Sequence, residues 1–248
     1  MTEDVSRHYD KLLARHYSWM FGGSFADNVA AQRTLLETYL PATFPKRGQA
    51  VDLGAGSGFQ SAALADMGFS PVIAIDGCAD LLDELNANRD GRPIVTVHDD
   101  ICLVSSLVPD VGISLAVCMG DTLPHLPDAE TVRRLIADIF GVLQVDGLLV
   151  LTFRDQSAPL DGIDRFLPVR SDDNRIMTCF LEYEAETVMV HDLVHVRENG
   201  MWHLYKSAYR KLRLKAPAVA DWLTTAGYEV LVNEPAGCMQ IIIARRNR

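Results

Sequence analysis

The sequence predicts an α/β protein: a doubly wound, mostly parallel sheet covered by helices. Three observations carry this. Strand-like and helix-like segments alternate from about residue 49 to residue 153. A glycine-rich turn joins the first strand to the first of the alternating helices. The nearly continuous apolar run over 111–118 suits a central strand buried on both faces.

Residues 49–53 form a short apolar strand that ends in glycines, and 59–67 have helical spacing that stops at Gly68. A second strand covers 72–76, and a helix over 78–89 ends near Gly91 and Pro93. Residues 94–98 are β-branched and alternating. After the strand at 111–118, Asp128 caps an amphipathic helix running to about Val145, with Val132, Leu135, Ile136, Ile139 and Leu143 on its buried side. A fifth strand follows at 148–153. Residues 155–174 are rich in Pro, Gly, Asp and Arg and read as loop. Segments 176–182, 187–197 and 202–214 alternate and are separated by turns such as Glu198-Asn199-Gly200, which predicts an antiparallel meander. Pro217 opens a last helix that ends at Gly227. Strands at 228–233 and 239–244, joined by Glu234-Pro235-Ala236-Gly237-Cys238, form an antiparallel pair closing one sheet edge. At the front, 9–21 and 27–40 read as two helices separated by Gly22-Gly23.

The 248 residues are read as a single domain. Its parts are an N-terminal helical lid (1–40), a ligand-binding core (41–154 and 209–248) and an inserted antiparallel cover (155–208). Acidic residues number 33 against 23 basic ones, a net charge of −10, which argues against a nucleic-acid partner. No apolar run is long enough to span a membrane. The five cysteines are scattered, and the N-terminus lacks the apolar stretch of a secretory signal, so the expected compartment is the cytoplasm. His191, His195 and His203 lack an acidic partner with ligand spacing, so no metal is expected.

The most informative segment is Val51-Asp52-Leu53-Gly54-Ala55-Gly56-Ser57-Gly58. Its spacing is G-x-G-x-G, not the dinucleotide pattern G-x-G-x-x-G. Asp52 would repel a pyrophosphate at this turn, whereas S-adenosylmethionine carries an ammonium and a sulfonium and no phosphate, so a carboxylate there is favourable. Asp76, at the end of the second strand, can take both ribose hydroxyls. The third strand ends in His98-Asp99-Asp100-Ile101. Asp99 and Asp100 are alternatives for an adenine amino group, with Asp100 preferred, and Ile101 would lie against the ring.

With V-D-L-G-A-G-S-G, V-I-A-I-D, H-D-D-I, G-L-L-V-L-T-F and Y-E-V-L-V-N in place, the chain resembles the class I S-adenosylmethionine-dependent methyltransferases over residues 49–153 and 217–245. That resemblance implies a Rossmann-like seven-stranded sheet of order 3-2-1-4-5-7-6 with strand 7 antiparallel. The cofactor-binding set is then Asp52, Gly54, Ala55, Gly56, Gly58, Asp76, Gly77, Asp99, Asp100, Ile101, Cys118, Met119 and Gly120. Cys118-Met119-Gly120-Asp121-Thr122-Leu123-Pro124-His125-Leu126 and Phe153-Arg154-Asp155 look like the small-molecule N-methyltransferases, glycine N-methyltransferase among them. Asp121-Thr122 stands where those have Asn-Ser.

The implied reaction is methyl transfer to a small-molecule acceptor, an amine or a carboxylate-bearing metabolite. Arg154 is read as the acceptor's carboxylate anchor, with a surface ion-pair partner as the alternative. His125 is read as a proton acceptor or a structural histidine. Tyr9, Tyr17, Trp19, Asp121 and Leu123 are expected in the acceptor pocket or lid. Two rival readings are a nicotinamide-dependent oxidoreductase, opposed by Asp52 and the glycine spacing, and a non-catalytic S-adenosylmethionine-binding protein.

Overall fold

A computed structural model describes residues 3–108 and 112–247. At the front, α1 (Glu3–His8) passes into a π-helical turn over Tyr9–Leu13, a 3-10 turn over Ala14–His16 and α2 (Tyr17–Phe21). The predicted first helix is therefore an irregular strap that starts earlier than expected. The second, α3 (Phe25–Tyr39), opens on a capping box in which Ser24 and Asp27 satisfy each other's backbone N–H groups.

The alternating segments follow in order: β1 (Ala50–Leu53), α4 (Phe59–Met67), β2 (Val72–Asp76), α5 (Ala79–Asn88) and β3 (Ile94–His98). A 3-10 turn over Ile101–Leu103 leads to the short α6 (Val104–Leu107), then β4 (Ile113–Cys118), α7 (Ala129–Val142) and β5 (Leu143–Phe153). Val111, expected at the head of β4, lies outside the described residues. The α7 helix ends before the expected Val145, and β5 starts five residues before the expected 148. A register shift opposite Ile113 and Leu115, with Asp146 at φ 63°, lets the extra residues bulge from the ladder.

The cover is β6 (Phe166–Ser171), β7 (Arg175–Tyr183), β8 (Thr187–Glu198) and β9 (Met201–Leu212). One strand more is present than the sequence predicts. β6 falls within the segment read as loop, where Pro168 and a register shift beside it disguise an edge strand. β9 runs on to Leu212, past the expected boundary at 208. The chain then returns through α8 (Ala216–Thr225) to the hairpin β10 (Tyr228–Ala236) and β11 (Met239–Arg246).

The large sheet has the order β10-β11-β5-β4-β1-β2-β3, with β11 antiparallel to β5 and all other core pairs among β1–β5 parallel. Counting only the core strands, this is 6-7-5-4-1-2-3, the topology that the resemblance implies. Every residue of β1, β2 and β4 is buried, because helices cover both faces. One apolar layer packs α7 and α8 on one face through Val132, Leu135, Ile139, Val219 and Leu223. The other packs α3, α4 and α5 through Leu36, Leu64 and Leu85. The four-stranded cover presents Met177, Leu181, Val190 and Val194 to Val5, Leu12 and Leu13 of the strap. The strap thus lies between cover and core, against the carboxyl edge of the parallel strands.

Candidate functional site

The strand order reverses between β1 and β4, and a cleft opens there beyond the strand ends. Its walls include Gly54, Gly56, Asp76, Gly77, Asp99, Asp100 and Ile101 at one end and Gly120, Thr122, His125 and Leu126 at the other. Tyr9 and Tyr17 of the strap roof it. It holds about 590 Å³ of empty space, part of it open to solvent.

The glycines of the first turn are required by geometry. Gly54 has φ 78°, and a Cβ there would run into the Thr122 side chain. Gly56 has φ 53°, with the Tyr17 hydroxyl standing where a Cβ would need room. The backbone is therefore bare on the cleft side. Gly56 N–H donates to Asp76 Oδ2 and Cys78 N–H to Asp76 Oδ1, each at 2.8 Å. Each oxygen keeps a free lone pair, so the carboxylate is fixed and can still accept two hydroxyls. Burial pushes the Asp76 carboxyl up, against the two backbone donors that pull it down.

Asp52 sits beneath the glycine turn and is not part of the cleft wall. It is buried, accepts from Ser61 Oγ at 2.6 Å and is pushed up to about 7, chiefly by burial. Ala55, Cys118, Met119 and Leu123 are also buried behind the wall, and burial raises the Cys118 thiol. Gly58 faces Leu85 at the head of α4. At the far strand end, Asp100 accepts from Cys102 N–H at 2.9 Å, and Asp99 from Asp100 N–H at 2.8 Å.

The opposite end is built by side chains. His125 lies in the 3-10 turn Leu123–His125, edge-on to Tyr9 and Tyr209 at centroid distances of 5.9 Å and 5.5 Å. Its Nε2 is buried without a hydrogen-bond partner among the described residues. Burial, then the nearby Lys211, hold it well below the usual histidine range, so the imidazole is neutral. Asp121, at φ 71°, accepts from the Arg154 backbone N–H at 2.9 Å and from Lys211 Nζ at 2.7 Å.

The Arg154 guanidinium is half-exposed beyond β5, with Nε 3.8 Å from Asp121 Oδ2. Trp19 points away from the cleft. Its Nε1 donates to Asp172 Oδ2 at 2.5 Å, and Arg175 and Arg170 lie over its ring, fastening the strap to the cover. Leu81, Thr122, Leu126 and Lys211 were not anticipated from the sequence. Lys211 is the most consequential, and strand parity betrays it: Tyr205, Ser207, Tyr209 and Lys211 share the inward face of β9.

The bare glycine turn, the fixed Asp76 carboxylate and the Asp99–Ile101 corner fit a ribonucleoside. The cleft lies where the Rossmann-like sheet implied by the sequence resemblance opens at its strand ends. Residues 50–147 match the family model described as a methyltransferase domain.

A glycine/sarcosine N-methyltransferase from Aphanothece halophytica is 32% identical over 113 residues, 45% of this chain and 42% of the relative. Another from Halorhodospira halochloris is 28% identical over 120 residues, 47% of this chain and 44% of the relative. The match thus spans less than half the length of these relatives. Among solved structures, the CcbJ methyltransferase from Streptomyces caelestis superposes with a TM-score of 0.75 at 18% identity, covering 97% of this chain and 98% of that one. S-adenosylmethionine-bound CalS10, an amino pentose methyltransferase from Micromonospora echinaspora, does so with a TM-score of 0.72 at 16% identity, covering 94% and 96%. The fold is shared along the whole chain, cover included.

Proposed function

We propose that the protein transfers a methyl group from S-adenosylmethionine to a small acceptor that carries an amine and a carboxylate. The observation that carries the cofactor is the bare turn at Gly54 and Gly56 locked to Asp76. When bound, the cofactor supplies an electrophilic methyl on a sulfonium, which the acceptor's lone pair takes as the carbon–sulfur bond breaks, an amine acceptor losing one proton.

The chain's own residues bind, align and dry the site. Asp76 would hold the ribose hydroxyls, Asp100 or Asp99 the adenine amino group, and Ile101 the ring face. Asp52, beneath the turn, would hold that turn in place through the hydrogen bond it accepts from Ser61. Gly120, with Met119 behind it, would shape that end, while Tyr9 and Tyr17 keep water out. Neutral His125 can accept a hydrogen bond from the acceptor's N–H and does not add a charge that would repel an ammonium. Arg154 would take the carboxylate through its planar fork. Glycine and sarcosine, from the names of the relatives above, head the acceptor list.

Residues 1–40 and 155–208 are read as cover, not as separate domains. The acidic balance supports a small-molecule partner over nucleic acid. Five free cysteines support a cytoplasmic setting, and no helix among the described residues is long and apolar enough to cross a membrane.

Calorimetry with S-adenosylmethionine, S-adenosylhomocysteine and NAD tests the cofactor: the first two bind and the third does not, and NAD binding alone overturns the reading. Methyl transfer to glycine, sarcosine, glycinamide and an amino sugar tests the acceptor. Arg154→Lys is expected to raise KM for a carboxylate acceptor by roughly 10–100-fold, ~1.4–3 kcal/mol, and to leave cofactor affinity unchanged.

A further inference from the structure

A cation and an anion meet where the two sheets touch. Lys211, on β9 of the cover, donates to Asp121, in the turn after β4 of the core, at 2.7 Å. The side chains are 13% and 6% exposed. Asp121 Oδ1 is taken by the Arg154 backbone N–H and Oδ2 by Lys211. Arg154 Nε lies 3.8 Å from that same Oδ2, too far for a hydrogen bond, and its side chain is 46% exposed. Two cations therefore share one carboxylate, and the more buried one has it. Among the described residues the Arg154 side chain makes no hydrogen bond.

A half-buried guanidinium beside an unshared carboxylate would close on it in a two-pronged pair, because that geometry is its strongest. Lys211 weakens this option by neutralising the carboxylate and taking one lone pair of the oxygen nearest Arg154. The unspent charge of the group of three is then one positive charge, carried by a half-exposed planar fork just after β5.

We propose that Lys211 is a positioning and specificity residue: by pairing with Asp121 across the two sheets, it keeps the Arg154 guanidinium free for an anionic group of the acceptor. The proposal rests on the reading of Arg154 as the acceptor's anchor. It also explains how this chain carries aspartate at position 121, since the lysine neutralises the added charge.

The test compares Lys211→Met, Asp121→Asn/Lys211→Met and Lys211→Arg, each first shown to bind S-adenosylhomocysteine. The Nε–Hε NMR resonance of Arg154, assigned by its loss in Arg154→Lys, is read without any acceptor. In Lys211→Met it moves to the position of a carboxylate-bonded guanidinium. In the double variant and in Lys211→Arg it stays near the wild-type position. An unmoved resonance in Lys211→Met, or the same movement in the double variant, overturns the proposal.

The second readout is KM for glycine. Lys211→Met should raise it about tenfold, the scale of one lost charge-assisted hydrogen bond, with kcat changed far less. The double variant should recover most of the loss. KM unchanged in Lys211→Met despite a moved resonance overturns the specificity role. A moved resonance beside a wild-type enzyme that treats glycine and glycinamide alike supports the positioning and overturns the carboxylate reading of the acceptor alone.

Discussion

The proposed cofactor end of the cleft is made from one sheet's turns and strand ends, with backbone groups and short acids as its surface. The proposed acceptor end is assembled from three segments far apart in the chain: the strap with Tyr9, the turn at 120–126, and β9 with Tyr209 and Lys211. The first end is held by hydrogen bonds of fixed backbone direction, such as Gly56 N–H to Asp76. The second is held by side chains that can be exchanged with no change in the fold. One chemistry of activation and a changeable choice of acceptor can therefore coexist on one scaffold.

The largest expected effect tests the rigid end. Gly54→Val places a β-branched side chain at φ 78° and against Thr122. Left-handed strain of ~1–2 kcal/mol and overpacking of ~1–3 kcal/mol should lower the denaturation midpoint, and calorimetry should detect no S-adenosylhomocysteine binding. A stable variant that still binds would break the contrast between the ends.

Asp52 gives the next largest effect, read as pH dependence. Its folded-state value of about 7 lies above the ordinary value of about 4, so the folded chain holds a proton that the unfolded chain releases. Stability from this group is therefore greatest below pH 4 and falls as pH rises from about 4 to about 7, by a few kcal/mol at ~1.4 kcal/mol per unit. Denaturant titrations across that window should show the slope in the wild type and lose it in Asp52→Asn. Asp76→Ala should then weaken S-adenosylhomocysteine by ~1.5–3 kcal/mol in calorimetry, the value of hydrogen bonds to a charged acceptor.

The same contrast explains what the sequence made legible. The turn at 54–58 and the acid at 76 are local signals, each complete within a few residues, and they lie where the strand–helix alternation puts them. The β10–β11 hairpin was readable as an antiparallel pair at a sheet edge, whereas the place of β11 beside β5 came from the family resemblance. Lys211 and Asp121 are separated by 90 residues, and nothing in either neighbourhood names the other. A lysine on the inward parity of an alternating strand was the available hint. Trp19 shows the opposite limit: an aromatic on a helix beside the site looked like lid, yet its N–H partner on the cover turned it outward. β6 was hidden because an edge strand tolerates the proline that elsewhere argues against a strand.

The smallest effect concerns the strap. Ser18 Oγ donates to Ser57 Oγ, which in turn donates to Glu84, each at 2.9 Å. Ser18→Ala should cost about 0.5–1.5 kcal/mol of local stability, read as faster amide exchange in residues 3–21 with the core unchanged. Exchange that accelerates across both sheets would mean the strap is part of the cooperative core.

The helical irregularity of that strap has a kinetic consequence. Its ends are tied down, His8 standing 3.0 Å from Asp192 and Ser18 bonded to the glycine turn, while the π and 3-10 turns fall between them. Tyr9 opens this stretch and Tyr17 follows it, and its hydrogen-bond geometry is poorer than that of an α-helix. On the proposed reading of the strap as a lid, departure of a spent ligand from beneath the two tyrosines would require only the middle of the strap to yield, a hinge-like event on the microsecond-to-millisecond scale. Repeated catalytic cycles would be paced by that opening, and solvent viscosity would register in the turnover number before it registered in the chemistry.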